Sequence, residues 1–172
     1  EQKKKNTKEM HEKGYKKMID NIRYRPTIQD IERIKPQANM LKVSGDGVFA
    51  TLQGEGVTAG SPSVFLRLHY CNLACGHNSG WKCDTGYTWD KTKPEFWQEP
   101  ENWTYPETAN KIETAWSDKF ANNEEGKRIV ITGGEPLLQQ KKITEFLKIM
   151  PNWQVEIETN GTIAPHPELY GC

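Results

Sequence analysis

"RIVITGGEPLLQQKKITEFLKIM", residues 128–150, reads as a strand, a break and a helix. The apolar run from Arg128 ends at the double glycine Gly133–Gly134, and the segment from Leu137 to Met150 continues with helical character. Working outward, "WQVEIETNGT", 153–162, is a second strand whose end is polar. On the other side, "PETANKIETAWSDKF", 106–120, spaces its apolar residues helically and places Pro106 at the start. Further back, "SVFLRLHYC", 63–71, is a buried strand, and "VFATLQGEG" is a strand running into a glycine turn. This alternation predicts an α/β fold built from parallel β/α units. In such folds the C-terminal strand ends face a common site. Three polar clusters, 71–85, 132–136 and 158–162, sit at such ends. Residues 86–105, rich in Trp, Pro, Lys and Glu, read as an insertion or lid.

The chain has 172 residues, enough for one domain with a sizeable core. Lys plus Arg and Asp plus Glu both number 23, so no overall basic surface for nucleic acid is implied. The charge is uneven: residues 1–25 carry nine basic side chains against four acids. Within them, 8–23 place Met10, Tyr15, Met18, Ile19 and Ile22 at helical spacing, and the interleaved acids favour a surface helix over a basic anchor for RNA or membrane. Pro26 and Pro36 bracket a second short helix, with Thr27 as its candidate cap. The division expected is a helical extension over 1–42 and a core over 43–172. No secretory-type apolar run and no stretch of membrane-spanning length occurs, so a cytoplasmic protein with no membrane partner is expected.

In a reducing compartment, clustered cysteines favour metal binding or catalysis over disulfides. "HYCNLACGHNSGWKCDTGY", 69–87, sets Cys71, Cys75 and Cys83 in a C-x3-C-x7-C pattern. A disulfide would leave an odd thiol in the loop. A zinc site could use these three with His77 as the fourth ligand. A four-iron cluster could use the three alone, leaving one iron open to a substrate or cofactor. Cys172 reads as a lone thiol. In "TGGEP" the two glycines would let backbone approach a ligand closely, and Glu135 could accept from an ammonium. An ordinary strand-to-helix turn is the plainer reading of the same five residues. Glu158 and Asn160 end a strand on the site side, where cofactor contact and a turn at Asn160–Gly161 both stay open.

The three-cysteine loop together with "TGGEP" resembles the radical S-adenosylmethionine superfamily. The series "TLQGEG", "FLRLHYCNLAC", "CDT", "ITGGEP" and "ETNGT", across about 43–163, is similar to the 7-carboxy-7-deazaguanine synthase family. That resemblance implies a carbon–nitrogen lyase of the queuosine and deazapurine pathway. Its members convert 6-carboxy-5,6,7,8-tetrahydropterin to 7-carboxy-7-deazaguanine with loss of ammonia. It further implies a [4Fe-4S] cluster on Cys71, Cys75 and Cys83, S-adenosylmethionine held around Lys82, Asp84, Gly133, Gly134 and Glu135, and Mg2+ at Thr85. The substrate would meet Leu52, Gln53, Gly54, Glu55, Arg67 and Thr132. No protein side chain is expected to be catalytic beyond those that hold cluster and cofactor. A reductase such as flavodoxin and a homodimer are the implied partners. The usual superfamily loop is C-x3-C-x2-C with an aromatic before the last cysteine; here the second gap is seven residues and Lys82 takes that place. Family members continue into further strands, a Ser-Pro-Lys-type cofactor motif and a lid, so the fold expected is a partial (βα)6 TIM-like barrel truncated at the C-terminus. Two alternatives accompany this reading: an activase that installs a glycyl radical on a partner, and a zinc-binding adaptor using His77.

Overall fold

The structure, a computed structural model, describes residues 24–76, 82–121 and 126–172. The helix expected over 8–23, as well as His77, lies outside them. Five strands, β1 (Met40–Leu52), β2 (Pro62–Leu68), β3 (Glu101–Thr104), β4 (Arg128–Gly133) and β5 (Gln154–Ile157), form one sheet in the order β3-β1-β2-β4-β5. The helices are α1 (Ile28–Ile34), α2 (Pro94–Gln98), α3 (Tyr105–Phe120) and α4 (Gln140–Leu147).

The α/β class matches the expectation, whereas a wholly parallel sheet does not. β2, β4 and β5 are parallel, but β1 runs antiparallel to both β2 and β3. Connection length explains the difference. The turn between Leu52 and Pro62 is too short for the crossover that parallel neighbours need, while α3 and α4 supply such crossovers before β4 and β5. The segment 86–105 is also more than a lid: it contains α2, and β3 pairs along Met40–Val43 to complete one edge of the sheet. Its Trp103 is 7 % exposed and joins the core.

Local sequence sets the helix starts. Thr27 caps α1, accepting from Asp30 N while Asp30 accepts from Thr27 N, a reciprocal capping box. Thr104 Oγ1 accepts from Glu107 N at the start of α3, where Pro106 needs no donor of its own. The helices cover one sheet face. Leu41, Val43, Val64, Leu66, Leu68, Ile129 and Ile131 pack there against Ile112, Trp116, Ile143 and Phe146, all of them buried. Each such side chain contributes roughly 1.5–3 kcal/mol on burial, which makes this face the stabilising one.

Strand register places Phe49, Phe65, Arg67, Val130, Thr132 and Glu156 on the other face. Gln53, just past β1, donates across that face to Glu156 Oε2 at 3.1 Å and Glu158 Oε1 at 3.2 Å. β1 and β5 are separated in the sheet by β2 and β4, so this contact requires the sheet to curl around the face.

Candidate functional site

Because β2, β4 and β5 are parallel, their C-terminal ends share one edge of the sheet, and all three polar segments emerge there. The loop after β2 carries Cys71, Cys75 and Cys83, each a free thiol and partly exposed. Tyr70, directly before Cys71, has φ +83, the left-handed bend that turns the chain out of the strand direction. Cys71 Sγ lies 3.5 Å from Leu73 N and Cys83 Sγ lies 3.5 Å from Thr85 Oγ1. Burial pushes the Cys71 thiol above its ordinary range; the Leu73 N–H opposes this, and the charges of Cys75, Glu135 and Cys83 add to it. The other two thiols are therefore electrostatic neighbours of Cys71. Among the described residues, however, no three His, Cys, Asp or Glu side chains close on a single metal ion. Three thiols on one loop are a donor set of the kind that holds an iron–sulfur cluster. Cys172 is a free, exposed thiol.

The double glycine is required by the fold itself. A Cβ on Gly133 would stand 2.1 Å from Leu68 O, and one on Gly134 would stand 2.2 Å from Tyr70 O and 2.7 Å from Thr88 Oγ1. The space that the missing side chains leave is filled by the backbone leading into the cysteine loop. Main-chain bonds from Gly134 N to Leu68 O and from Glu135 N to Tyr70 O, 3.2 and 2.8 Å, lock the two strand ends together. Glu135 is fully buried. Its carboxylate accepts from Leu137 N at 2.8 Å, from Thr159 Oγ1 at 2.9 Å and from Asn160 N at 2.8 Å. These are three donors, the single Thr159 hydroxyl being shared between the two oxygens, so a carboxylate with about four acceptor positions keeps capacity for a further donor. What the structure gives it is a brace between the ends of β4 and β5.

Arg67 and Thr132 are register partners on the open face, four and two residues from Cys71 and Gly134 respectively. The guanidinium lies 5.3 Å from the centre of the Phe49 ring, which itself stacks on Phe65 at 5.0 Å. Tyr87, whose hydroxyl lies beside Gly45, is close enough to Arg67 for that charge to favour its ionisation, although burial holds the phenol above its ordinary range. Gln53 is brought to the face, 4 % exposed and bound to Glu156 and Glu158. Leu52, Gly54 and Glu55 are instead exposed on the turn at its rim, Leu52 at 56 %. Lys82 and Asp84 are exposed beside Cys83. They line, with Cys75, Cys83, Gly86 and Tyr87, a cavity of about 370 Å³.

Residues 52–161 match the model of a family described as a 4Fe-4S single cluster domain. The chain belongs to that family. The matched single-cluster domain begins at the end of β1 and closes on the Asn160–Gly161 turn, so it holds the cysteine loop, the double glycine and the brace together. The chain is similar to the 7-carboxy-7-deazaguanine synthase of Pyrobaculum aerophilum, 35 % identical over 127 residues, covering 73 % of this chain and 49 % of that protein. The corresponding synthase of Buchnera aphidicola subsp. Schizaphis graminum is 37 % identical over 137 residues, covering 73 % and 55 %. The crystal structure of QueE from Escherichia coli matches with a TM-score of 0.51 at 26 % identity, over 74 % of this chain and 56 % of that one. The resemblance read from the motifs is thus borne out. The chain spans about half the length of the curated relatives it matches.

Several residues around the site were not singled out by motif. Phe49 and Phe65 look like core in sequence, yet they lie on the face away from the helices. The Arg128–Glu156 ion pair, 2.7 Å, and Thr159 also belong to the site's surroundings. The period-2 alternation Phe65, Arg67 against Leu66, Leu68 was the available signal, since a strand with an arginine among its apolar residues has one face outside the core.

Proposed function

We propose that this chain takes part in the conversion of 6-carboxy-5,6,7,8-tetrahydropterin to 7-carboxy-7-deazaguanine with loss of ammonia, as a radical S-adenosylmethionine lyase. The observation that carries the reading is the placement of Arg67 and Thr132 side by side at the strand ends from which the cysteine loop departs. Cys71, Cys75 and Cys83 would hold a [4Fe-4S] cluster, and backbone around Lys82, Asp84, Gly133 and Gly134 would meet S-adenosylmethionine. When bound, this pair supplies one-electron, hydrogen-abstracting chemistry that no side chain of the protein provides.

The chain's own residues do the rest. Arg67 grips the substrate carboxylate through its two-pronged donor set, and Phe49 fixes the guanidinium plane. Thr132 donates beside it. Gln53 and the rim turn at Leu52, Gly54 and Glu55 flank the pterin and limit water access. Thr85 offers a hard oxygen for Mg2+ beside the substrate, an ion that keeps most of its shell for water and substrate oxygens. Glu135, besides bracing the backbone, would accept from the ammonium of S-adenosylmethionine. The division at residue 42, the partial barrel, a homodimer, an electron-donating reductase and a cytoplasmic location complete the reading. No helix among the described residues is long and apolar enough to cross a membrane.

The test is anaerobic reconstitution followed by assay with S-adenosylmethionine, Mg2+, reductant and the carboxytetrahydropterin, with Cys83→Ala and Arg67→Ala alongside. A brown protein that forms the deazaguanine, with the activity lost in both variants, is expected. A colourless protein that binds zinc would overturn the reading.

A further inference from the structure

The turn at Asn160–Gly161 explains only half of what Asn160 does. Its Oδ1 accepts from Thr162 N at 3.0 Å and from Thr162 Oγ1 at 2.6 Å, as an asparagine in a turn would. That fixes the amide orientation, because the oxygen end is taken. The Nδ2 end then points the other way, lying 3.0 Å from Asn72 Oδ1 and 3.9 Å from Cys71 Sγ. Asn72 Nδ2 closes the ring by donating to Thr162 Oγ1 at 2.7 Å. The main-chain N–H of Asn160 is held separately by Glu135. A turn requires neither the contact with Asn72 nor the one with Cys71.

We infer that Asn160 is a positioning residue for the cluster: its side-chain N–H is held toward Cys71 Sγ, where it fixes the first cysteine and raises the reduction potential of the iron–sulfur group that Cys71 ligates. This rests on the four-iron reading of Cys71, Cys75 and Cys83. The physical cause is charge. Reduction adds one electron to the cluster, and part of that negative charge falls on the ligating sulfurs. A donor aimed at one of them therefore stabilises the reduced form more than the oxidised one. Leu73 N, 3.5 Å from the same sulfur, is a second donor to Cys71 that substitution at 160 leaves in place.

The experiment compares the reconstituted parent chain with Asn160→Leu, Asn160→Asp and Thr162→Val, reading iron and sulfide content and the midpoint potential by EPR-monitored titration. Asn160→Asp keeps the acceptor for Thr162 and replaces the donor with an anionic oxygen, so it serves where the leucine variant fails to load. The expectation is an intact cluster with a lower midpoint in both Asn160 variants, furthest in Asn160→Asp. At the parent's midpoint the oxidised-to-reduced ratio should rise about tenfold, equal to 59 mV for one electron. Thr162→Val, which removes the hydroxyl but keeps the main-chain N–H that holds Asn160 Oδ1, should shift the midpoint in the same direction by less. Loaded variants with the parent's midpoint would reduce Asn160 to a turn residue and leave the four-iron reading standing. A parent that takes up no four-iron cluster would overturn both.

Discussion

Glu135 Oε2 accepts the main-chain N–H of Asn160 at 2.8 Å, and the hydroxyl of Thr159 sits 2.9 Å from each oxygen of the same carboxylate. A fully buried acid thus ties the end of β4 to the end of β5 beside the cysteine loop. Hydrogen bonds to a charged acceptor contribute about 1.5–3 kcal/mol, and buried donors left without partners add to the loss. Glu135→Ala should therefore lower stability by about 3 kcal/mol or more, and Glu135→Gln, which keeps one acceptor oxygen, by about 1–2 kcal/mol. Urea unfolding of the chain without metal measures this directly. An alanine variant as stable as the parent would show that the brace bears no strain.

The glycines divide into those the fold needs and those it does not. Alanine at Gly133 or Gly134 meets backbone oxygens at 2.1 and 2.2 Å, atoms that cannot rotate away, and Gly133 has φ +135 besides. Either substitution should cost more than about 3 kcal/mol or abolish soluble expression. Gly54 has nothing within 4 Å of an added Cβ. Gly54→Ala should stay within about 0.5 kcal/mol of the parent, so any loss of turnover in that variant would report contact with substrate. Thermal melts of the three variants side by side separate the two classes.

The same contrast shows what was legible in the sequence. Strands β2, β4 and β5 announce themselves through apolar runs ending in polar clusters, and their shared edge follows from the crossover helices between them. β3 was hidden, because "ENWT" in a segment full of Trp, Pro and charge has no alternation to read, and it becomes a strand only by pairing with Met40–Val43. The antiparallel sense of β1 was readable in principle from the short turn after Leu52. Glu135 was visible as a motif residue, but its burial was not: only the approach of Thr159 and Asn160, more than twenty positions later, turns a strand-end acid into an internal brace. The stacked Phe49 and Phe65 look like core until the helices are seen to occupy the opposite face.

Arg67 makes no ion pair with any described residue, and its guanidinium lies 5.3 Å from the centre of the Phe49 ring. A cation at a strand end, left without a carboxylate of the protein's own, has little to do for the fold. Arg67→Ala should leave stability within about 1 kcal/mol of the parent while lowering kcat/KM on the carboxylated pterin by about a hundredfold. Arg67→Lys should fall between, because it keeps the charge but loses the two-pronged geometry. Steady-state kinetics decide the matter, and a kcat/KM unchanged in both variants would remove Arg67 from the substrate.

Lys42 carries the clearest pH signature. It is fully buried, with its Nζ donating to the carbonyl of Arg33, and its main chain is clamped by the Gln139 amide. Burial foremost, with Lys142 and Arg33 adding repulsion, pulls its pKa down from 10.5 to about 8. Since the folded value lies below the unfolded one, the unfolded chain binds more protons between pH 8 and 10.5. The cost of charging Lys42 in the folded state is thus fully present below pH 8 and is relieved as pH rises through 10.5, by up to about 3 kcal/mol. Lys42→Met removes that cost and forfeits one hydrogen bond, worth about 1 kcal/mol. The variant should therefore be the more stable protein at pH 7, and its advantage should shrink steadily across the window. Paired urea titrations at pH 7, 8.5 and 10 test this, and a stability difference that stayed constant over those three values would mean that Lys42 is not held against its own charge.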